Sequence, residues 1–133
     1  MLVGDPQQSK ARPRVLIIDD EVTITNALRR HLQSDHDVSV ENDPVAALAL
    51  LKGGATFDVI LCDMMMPKLN GAQLHRELLA FAPGQAAVTI MMTGGSVPRE
   101  ALELLVSGRI ANLTKPFDLD ELRALIRTLH TSS

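Results

Sequence analysis

Apolar positions in this chain follow two spacings that alternate along its length. Short runs without a polar residue, such as residues 15–18 and 59–62, are typical of strands buried on both faces of a parallel sheet. After such runs, apolar residues recur about three or four positions apart, which is the spacing of an amphipathic helix. The first helical stripe consists of Ile24, Ala27, Leu28 and Leu32. This alternation predicts repeated strand–helix units.

Five strand–helix units are predicted in this way. The predicted strands are residues 15–18, 38–40, 59–62, 88–92 and 110–114. The predicted helices begin near Val22, Pro44, Gln73, Ser96 and Leu119. Repeated units of this kind predict an α/β domain with one parallel sheet, right-handed crossovers and helices on both faces. We expect this domain at residues 14–130, between an N-terminal tail or linker at residues 1–13 and a C-terminal tail at residues 131–133.

Start and stop signals support several of these helix bounds. Asp43 is a suitable N-cap for a helix that has Pro44 at its first position. Asp118 and Glu121 have the spacing of a capping box at the start of the last helix. Residues 83–84, Pro-Gly, are expected to end the third helix.

The composition excludes several classes of function. The chain has 133 residues, 46% hydrophobic and 22% charged, so one domain with a true core is expected. A formal net charge of −3 and an aromatic content of 2% argue against a nucleic-acid partner. No apolar run is long enough to cross a bilayer, and residues 1–14 lack the apolar core of a secretory signal. Cys62 is the single cysteine, which excludes a disulfide framework, and we expect a cytoplasmic protein.

Polar residues that can carry chemistry follow four of the predicted strands: Asp19 and Asp20, Asp63, Thr93, and Lys115. The carboxyl ends of parallel strands lie on one edge of the sheet, where α/β sheets bind ligands. Asp63 is then either a nucleophile or a metal ligand. Each residue also has a simpler explanation, as a helix cap, a turn residue or a solvated lysine. Agreement between four strand ends favours a functional site.

Three carboxylates at one edge need compensating charge, since two unit charges about 4 Å apart repel by about 4 kcal/mol at an effective dielectric near 20. Lys115 supplies one positive charge, and a hard divalent cation such as Mg²⁺ would supply the rest. Carboxylates, Mg²⁺, a hydroxyl and a lysine are the groups used in phosphoryl transfer, in which an aspartate can be the nucleophile. The histidines are expected at surface or polar helix positions outside any ligand pattern: His31, His36, His75 and His130.

These residues resemble, in order and spacing, the receiver domain of two-component response regulators, of the type related to the bacterial chemotaxis regulator. The resemblance rests on Asp19-Asp20-Glu21, on Asp63 with Met66-Pro67 and Gly71, on Thr93-Gly94, and on Lys115-Pro116-Phe117. It covers roughly residues 14–130. It implies a flavodoxin-like (βα)5 fold, a doubly wound five-stranded parallel sheet with strand order 2-1-3-4-5.

The resemblance also implies a role for each matching acidic position. Asp63 is the expected phosphoacceptor, and the expected donor is a phosphohistidine on a histidine kinase or a phosphotransfer protein. Asp19 and Asp20 are expected to bind Mg²⁺ together with Asp63 and the backbone carbonyl of Met65.

The remaining positions are expected to respond to phosphorylation. Thr93 would hydrogen-bond a phosphoryl oxygen and move on activation, Lys115 would form an ion pair with the phosphoryl group, and Pro116 would follow a cis peptide bond. The family usually has Tyr or Phe three positions before the lysine, as a rotameric switch coupled to the threonine. This chain has Asn112 there, so we expect phosphorylation to be retained but the output signal to differ.

The fourth predicted helix, at residues 96–106, has more apolar residues than one narrow face holds: Ala101, Leu102, Leu104, Leu105 and Val106. In this family the surface of the fourth helix, fifth strand and fifth helix often serves dimerisation or output. The helix is either exposed there, where it binds a partner or a second copy, or deeply packed.

Three functions fit the sequence. The first is a signalling receiver that catalyses only its own phosphorylation and slow dephosphorylation. Because the chain ends at Ser133, we expect either a single-domain regulator or a receiver from a larger protein, such as a hybrid sensor kinase. The second is an aspartyl-phosphate phosphohydrolase, whose Asp-x-Asp pattern after the first strand is only approximated by Asp19 and Glu21. The third is a receiver-like interaction module that is never phosphorylated.

Overall fold

A five-stranded parallel sheet with helices on both faces forms the centre of the protein. The computed structural model describes residues 12–95 and 97–132. The strands are β1 (Arg14–Ile18), β2 (Asp37–Glu41), β3 (Val59–Asp63), β4 (Thr89–Thr93) and β5 (Ala111–Thr114). The helices are α1 (Val22–Leu32), α2 (Pro44–Lys52), α3 (Gly71–Phe81), α4 (Pro83–Ala87), α5 (Arg99–Val106) and α6 (Leu119–Ser132). Each strand is followed by a helix, as the alternating spacings predict.

The strand order is β2-β1-β3-β4-β5, and every neighbouring pair is parallel. This confirms the flavodoxin-like fold and the strand order that the resemblance implies. Ile18 of β1 pairs with Cys62 of β3, and Thr93 of β4 pairs with Thr114 of β5. The register therefore aligns the carboxyl ends of β1, β3, β4 and β5 along one edge of the sheet.

Each face of the sheet has its own apolar cluster, because successive strand residues point to opposite faces. Val15 and Ile17 of β1 belong to a cluster with residues of α1 and α6. Leu16 and Ile18 belong to a cluster with residues of α2, α3 and α5. All residues of β3 are buried, as expected for a run without polar alternation. The polar side chain of β3 is therefore at its carboxyl end, at Asp63.

Two elements differ from the predicted pattern between β3 and β4. α3 begins at Gly71, two positions before the predicted start at Gln73, because Asn70 and Gln73 form a capping box. A short helix, α4, follows α3 where Pro83 and Gly84 predict only a helix end. Pro83 occupies the first turn of α4, where a missing backbone N–H costs nothing.

Two predicted helix caps are present. The Asp43 carboxylate accepts a hydrogen bond of 3.0 Å from the backbone N–H of Val45 at the start of α2. The Asp118 carboxylate accepts one of 3.0 Å from the N–H of Asp120, and not from Glu121 as a standard capping box has it. Both helices therefore begin where the sequence places them.

Some predicted bounds fall at or beyond the described residues. The predicted start of the fourth helix at Ser96 lies outside them, and α5 begins at Arg99. Residues 1–11 of the expected N-terminal tail also lie outside them. α6 continues to Ser132, into the expected C-terminal tail of residues 131–133.

Burial corrects three expectations about single residues. Ala27 is exposed, and Thr25 takes its place on the buried stripe of α1, where its hydroxyl donates a 3.0 Å hydrogen bond to the Val22 carbonyl. His36 and His75 are buried, whereas the sequence places all histidines at surface or polar helix positions.

Among the described helices, none combines the length and apolar content needed to cross a membrane.

Candidate functional site

The carboxylates of Asp19, Asp20 and Asp63 lie together at the carboxyl edge of the sheet. One oxygen from each lies within 4.8 Å of the others. Asp63 is the last residue of β3, and Asp19 follows β1 directly, so the parallel pairing of these two strands brings them together. Asp19 and Asp63 are buried, while Asp20 is exposed. We call these three residues the acidic cluster.

Lys115 provides the positive charge beside the acidic cluster. Its Nζ donates a hydrogen bond of 3.1 Å to Oδ1 of Asp63 and lies 3.5 Å from Oδ2 of Asp19. Burial tends to lower the pKa of Lys115, but the hydrogen bond to Asp63 and the charge of Asp19 outweigh it, and the pKa is raised. The peptide bond between Lys115 and Pro116 is cis, as the resemblance implies.

Asp19 is the most strongly perturbed member of the acidic cluster. Burial is the main cause that raises the pKa of Asp19 to about 6, with a further contribution from the charge of Asp63. Its Oδ1 accepts a hydrogen bond of 3.0 Å from the backbone N–H of Glu21. Its Oδ2 is buried and accepts no hydrogen bond from the described residues, although Lys115 Nζ lies 3.5 Å away. This oxygen therefore has an ion-pair partner but no hydrogen-bond donor, and it can accept a further ligand.

The donor set of the acidic cluster fits a hard divalent cation. It offers carboxylate oxygens, which Mg²⁺ prefers, and Oδ2 of Asp19, which accepts no hydrogen bond from the described residues, is the kind of buried acceptor that a cation satisfies. Met65 lies two residues after Asp63 in the loop that follows β3, and its side chain is exposed. Its backbone carbonyl remains a predicted fourth protein ligand.

Asn42 is a supporting residue that the sequence analysis missed. Its Nδ2 donates a hydrogen bond of 2.8 Å to the backbone carbonyl of Asp19 and one of 3.0 Å to the hydroxyl of Thr25. It directly follows β2, and so lies at the same sheet edge as the acidic cluster. β2 is the one strand for which no site residue was predicted. The polar residue directly after it, Asn42, was the signal in the sequence that could have identified this position.

Thr93 lies at the end of β4, and its hydroxyl hydrogen-bonds a side chain on β5. Its Oγ1 donates to Oδ1 of Asn112 at 3.0 Å, and the backbone carbonyl of Leu113 lies 3.4 Å away. Thr93 is buried and Asn112 is exposed. The sequence identifies both positions but not the hydrogen bond between them.

The loop after β3 is held closely against the strand end by Gly71. The N–H of Gly71 donates to the carbonyl of Met64 at 2.9 Å. A Cβ at this position would lie 2.8 Å from Sδ of Met91 and 2.9 Å from the carbonyl oxygen of Asp63. Only glycine fits this approach without displacing the strand end that carries Asp63.

Comparison with known proteins identifies the family. The family model described as the response regulator receiver domain matches residues 15–127. The response regulator MprA of Mycobacterium leprae (strain TN) is 33% identical over 117 residues, and that of Mycobacterium sp. (strain KMS) is 32% identical over 117 residues. These matches cover 87% of this chain and 50% of each relative, so the chain spans about half the length of these curated relatives.

Solved structures of related sequence have the same fold as this chain. The receiver domain of the Francisella response regulator 1452 has a TM-score of 0.77 and 30% identity, over 91% of this chain and 98% of that one. Full-length FixJ from B. japonicum has a TM-score of 0.80 and 27% identity, over 92% of this chain and 59% of that one. The alternating strand–helix pattern, the sheet order and the family match lead to one conclusion: this chain belongs to the response regulator receiver domain family.

Proposed function

We propose that this receiver domain accepts a phosphoryl group on Asp63 and acts as a switch in two-component signalling. The observation that carries the proposal is the position of Lys115 Nζ, 3.1 Å from Asp63 and 3.5 Å from Asp19, at the carboxyl edge of the sheet. A lysine held between two carboxylates is placed to meet the charge of an incoming phosphoryl group.

The proposed reaction is transfer from a phosphohistidine of a histidine kinase or a phosphotransfer protein. An oxygen of the Asp63 carboxylate attacks the phosphorus, and the P–N bond to the donor imidazole breaks. The electron pair of that bond returns to the imidazole, and Asp63 becomes an acyl phosphate. Lys115 Nζ, already on Oδ1 of Asp63, pairs with the new phosphoryl charge.

Mg²⁺ is the proposed cofactor. Asp19, Asp20 and Asp63 would hold it through carboxylate oxygens, together with the carbonyl of Met65. When bound, Mg²⁺ supplies positive charge to the phosphoryl oxygens during transfer. Two features of Asp19 support this assignment: its buried Oδ2 accepts no hydrogen bond from the described residues, and its pKa is raised, chiefly by burial and also by the charge of Asp63.

The phosphorylated state is proposed to be read at the face formed by α5, β5 and α6. The α5 side chains of Leu102 and Val106 are 49% and 83% exposed, and only Ala101 of this helix is buried. α5 is therefore not deeply packed. A second copy of the chain or an output partner is proposed to bind there. Elution as a monomer in size-exclusion chromatography, both with and without beryllofluoride, would exclude the second copy.

The test of the proposed function is mass spectrometry of the protein after incubation with acetyl phosphate, with and without Mg²⁺. We expect one phosphoryl group per chain, only with Mg²⁺, and none in Asp63→Asn. Asp58→Asn is the matched control, because Asp58 directly precedes β3 at the opposite edge of the sheet. Unlabelled wild-type protein would overturn the proposal in favour of an interaction module, and rapid multiple-turnover hydrolysis of phosphate esters would favour a phosphohydrolase.

A further inference from the structure

The hydroxyl of Thr93 has a side-chain partner outside the acidic cluster. It donates to Oδ1 of Asn112 at 3.0 Å, and a second acceptor, the Leu113 carbonyl, lies 3.4 Å away. Both acceptors belong to β5, on the side of β4 away from β3 and Asp63. The hydroxyl proton of the unphosphorylated protein is therefore directed away from the phosphoacceptor.

Sheet register explains why these two side chains meet. Asn112 is paired with Met91 and Thr114 with Thr93, so Asn112 and Thr93 are diagonal neighbours on the same face of the sheet. Met91 belongs to the apolar cluster that also contains Ala101 of α5. The hydrogen bond thus connects a buried residue at the site to an exposed residue on the face that α5 covers.

A threonine hydroxyl carries one proton, so it can donate one strong hydrogen bond at a time. A bond from Thr93 to Asn112 and a bond from Thr93 to a phosphoryl oxygen on Asp63 therefore exclude each other. The exposed amide of Asn112 can exchange its partner for water at little cost, whereas the buried hydroxyl of Thr93 must find a protein or phosphoryl acceptor.

We propose that Asn112 is a positioning residue that holds the Thr93 hydroxyl in the unphosphorylated orientation and releases it on phosphorylation. This inference rests on the proposed function of Asp63. Asn112 then opposes the phosphorylated conformation, and its released amide changes the surface of β5 beside α5. Phosphorylation would then be transmitted to β5 by the loss of the hydrogen bond between Thr93 and Asn112.

The principal experiment measures the affinity for beryllofluoride, a phosphoryl mimic, in the presence of Mg²⁺. Calorimetry suits this protein because it has no Trp or Tyr for intrinsic fluorescence. Asn112→Leu keeps the branching of the side chain at Cγ and removes the acceptor. We expect it to bind the mimic about two- to ten-fold more tightly, the effect of one hydrogen bond. Asn112→Ala is the second variant, should Asn112→Leu fold poorly.

A double-mutant cycle separates this role from a structural one. In a Thr93→Val background the hydroxyl is absent, so Asn112→Leu should leave the affinity unchanged. Equal affinity of wild type and Asn112→Leu, or the same gain in both backgrounds, would overturn the inference. Wild-type protein that binds no beryllofluoride and takes no phosphoryl group would instead overturn the proposed function.

A second readout needs no metal or phosphoryl mimic. In metal-free protein, Thr93→Val should shift the side-chain amide resonances of Asn112, because it removes the hydroxyl that donates to Oδ1 of the same amide group. Thr89→Val is the matched control, since Thr89 is a buried threonine at the other end of β4 and donates to the Gln85 carbonyl at 2.9 Å. Unchanged Asn112 resonances in Thr93→Val would contradict the hydrogen bond itself.

Discussion

The Nζ of Lys115 lies 3.1 Å from Oδ1 of Asp63, although 52 positions separate the two residues in the chain. Parallel pairing of β3 with β4 and of β4 with β5 brings them to the same edge. Lys115 also lies 3.5 Å from Asp19, so one cation is shared by two buried carboxylates. The cation is therefore both a structural counter-charge and a proposed phosphoryl partner.

Removal of that counter-charge should destabilise the metal-free protein. We expect Lys115→Met to lower the free energy of unfolding near neutral pH by about 1–3 kcal/mol. This is less than the roughly 3–5 kcal/mol of fully buried pairs, because the Lys115 side chain is 24% exposed. Urea denaturation followed by circular dichroism measures the change.

The matched control for that experiment is Lys52→Met. Lys52 pairs with Glu77 at 3.4 Å, but both side chains are about half exposed, so a loss below about 1 kcal/mol is expected. Equal losses in the two variants would show that Lys115 contributes no more than a surface ion pair.

Asp19 should make the stability of the metal-free protein depend on pH. Its folded-state pKa is raised to about 6 from an ordinary value of 3.8, so the folded protein binds more protons than the unfolded chain between these values. Stability from this group is fully present below the unfolded pKa and is lost as the pH rises through the folded pKa. A shift of about two pKa units corresponds to a loss of about 3 kcal/mol.

Asp19→Asn is the variant that measures this loss. We expect its unfolding free energy to match that of wild type near about pH 4 and to exceed it by about 3 kcal/mol near about pH 7. The comparison is made in a chelator, with denaturant unfolding at several pH values. Because the other carboxylates are common to both proteins, their titrations largely cancel in the difference. A difference that does not vary with pH would contradict the elevated pKa.

Much of this site could be predicted from the sequence because its residues directly follow apolar strands. The unbroken run before Asp63 gives the strand end, and a parallel sheet places that end on the same edge as Asp19 and Lys115. The prediction depends only on spacing and on the shared edge of a parallel sheet. The same reasoning predicts a parallel α/β sheet, while the strand order comes from the resemblance to the receiver family.

The supporting contacts could not be predicted, because they depend on register and rotamer. The bond from Thr93 to Asn112 requires the exact pairing of β4 with β5, which no local pattern contains. Asn42 contacts Asp19 only because β2 lies beside β1 in the sheet. His36 is buried, and its Nδ1 lies 3.1 Å from the Leu32 carbonyl. A histidine in the sequence suggests a surface position, and nothing local indicates that this hydrogen bond would allow its burial.

Mg²⁺ should stabilise the protein through the acidic cluster. A ligand that binds only the folded state adds about 2.7 kcal/mol when its free concentration is about one hundred times its Kd. We therefore expect the melting temperature of wild type to rise with Mg²⁺, and the rise to be smaller in Asp20→Asn, which loses the exposed carboxylate of the acidic cluster.

Two controls isolate the specific effect of the cation. Asp43→Asn neutralises a neighbouring exposed carboxylate while keeping a good N-cap, so its response to Mg²⁺ should equal that of wild type. Sodium chloride at equal ionic strength should not reproduce the rise. The same Mg²⁺ response in Asp20→Asn and Asp43→Asn would remove Asp20 from the metal site.

Gly71→Ala should damage both the fold and the site. The added Cβ would lie 2.8 Å from Met91 Sδ, 2.9 Å from the Asp63 carbonyl oxygen and 3.0 Å from Met64 Cα. Two of these neighbours are backbone atoms, which cannot turn away as a flexible side chain can. Overpacking of this kind typically costs about 1–3 kcal/mol, and the displaced strand end should also weaken beryllofluoride binding.

Gly84→Ala distinguishes this effect from the general cost of replacing glycine. A Cβ at position 84 would meet nothing within 4 Å, so the same chemical change there carries no steric penalty. Alanine also restricts the unfolded chain, so a gain of about 0.4–1 kcal/mol is expected. Denaturant unfolding gives the stability of both variants, and calorimetry gives their affinity for the mimic. Wild-type stability and affinity in Gly71→Ala would show that the loop moves freely from β3, and that its contact with Asp63 does not position the proposed phosphoacceptor.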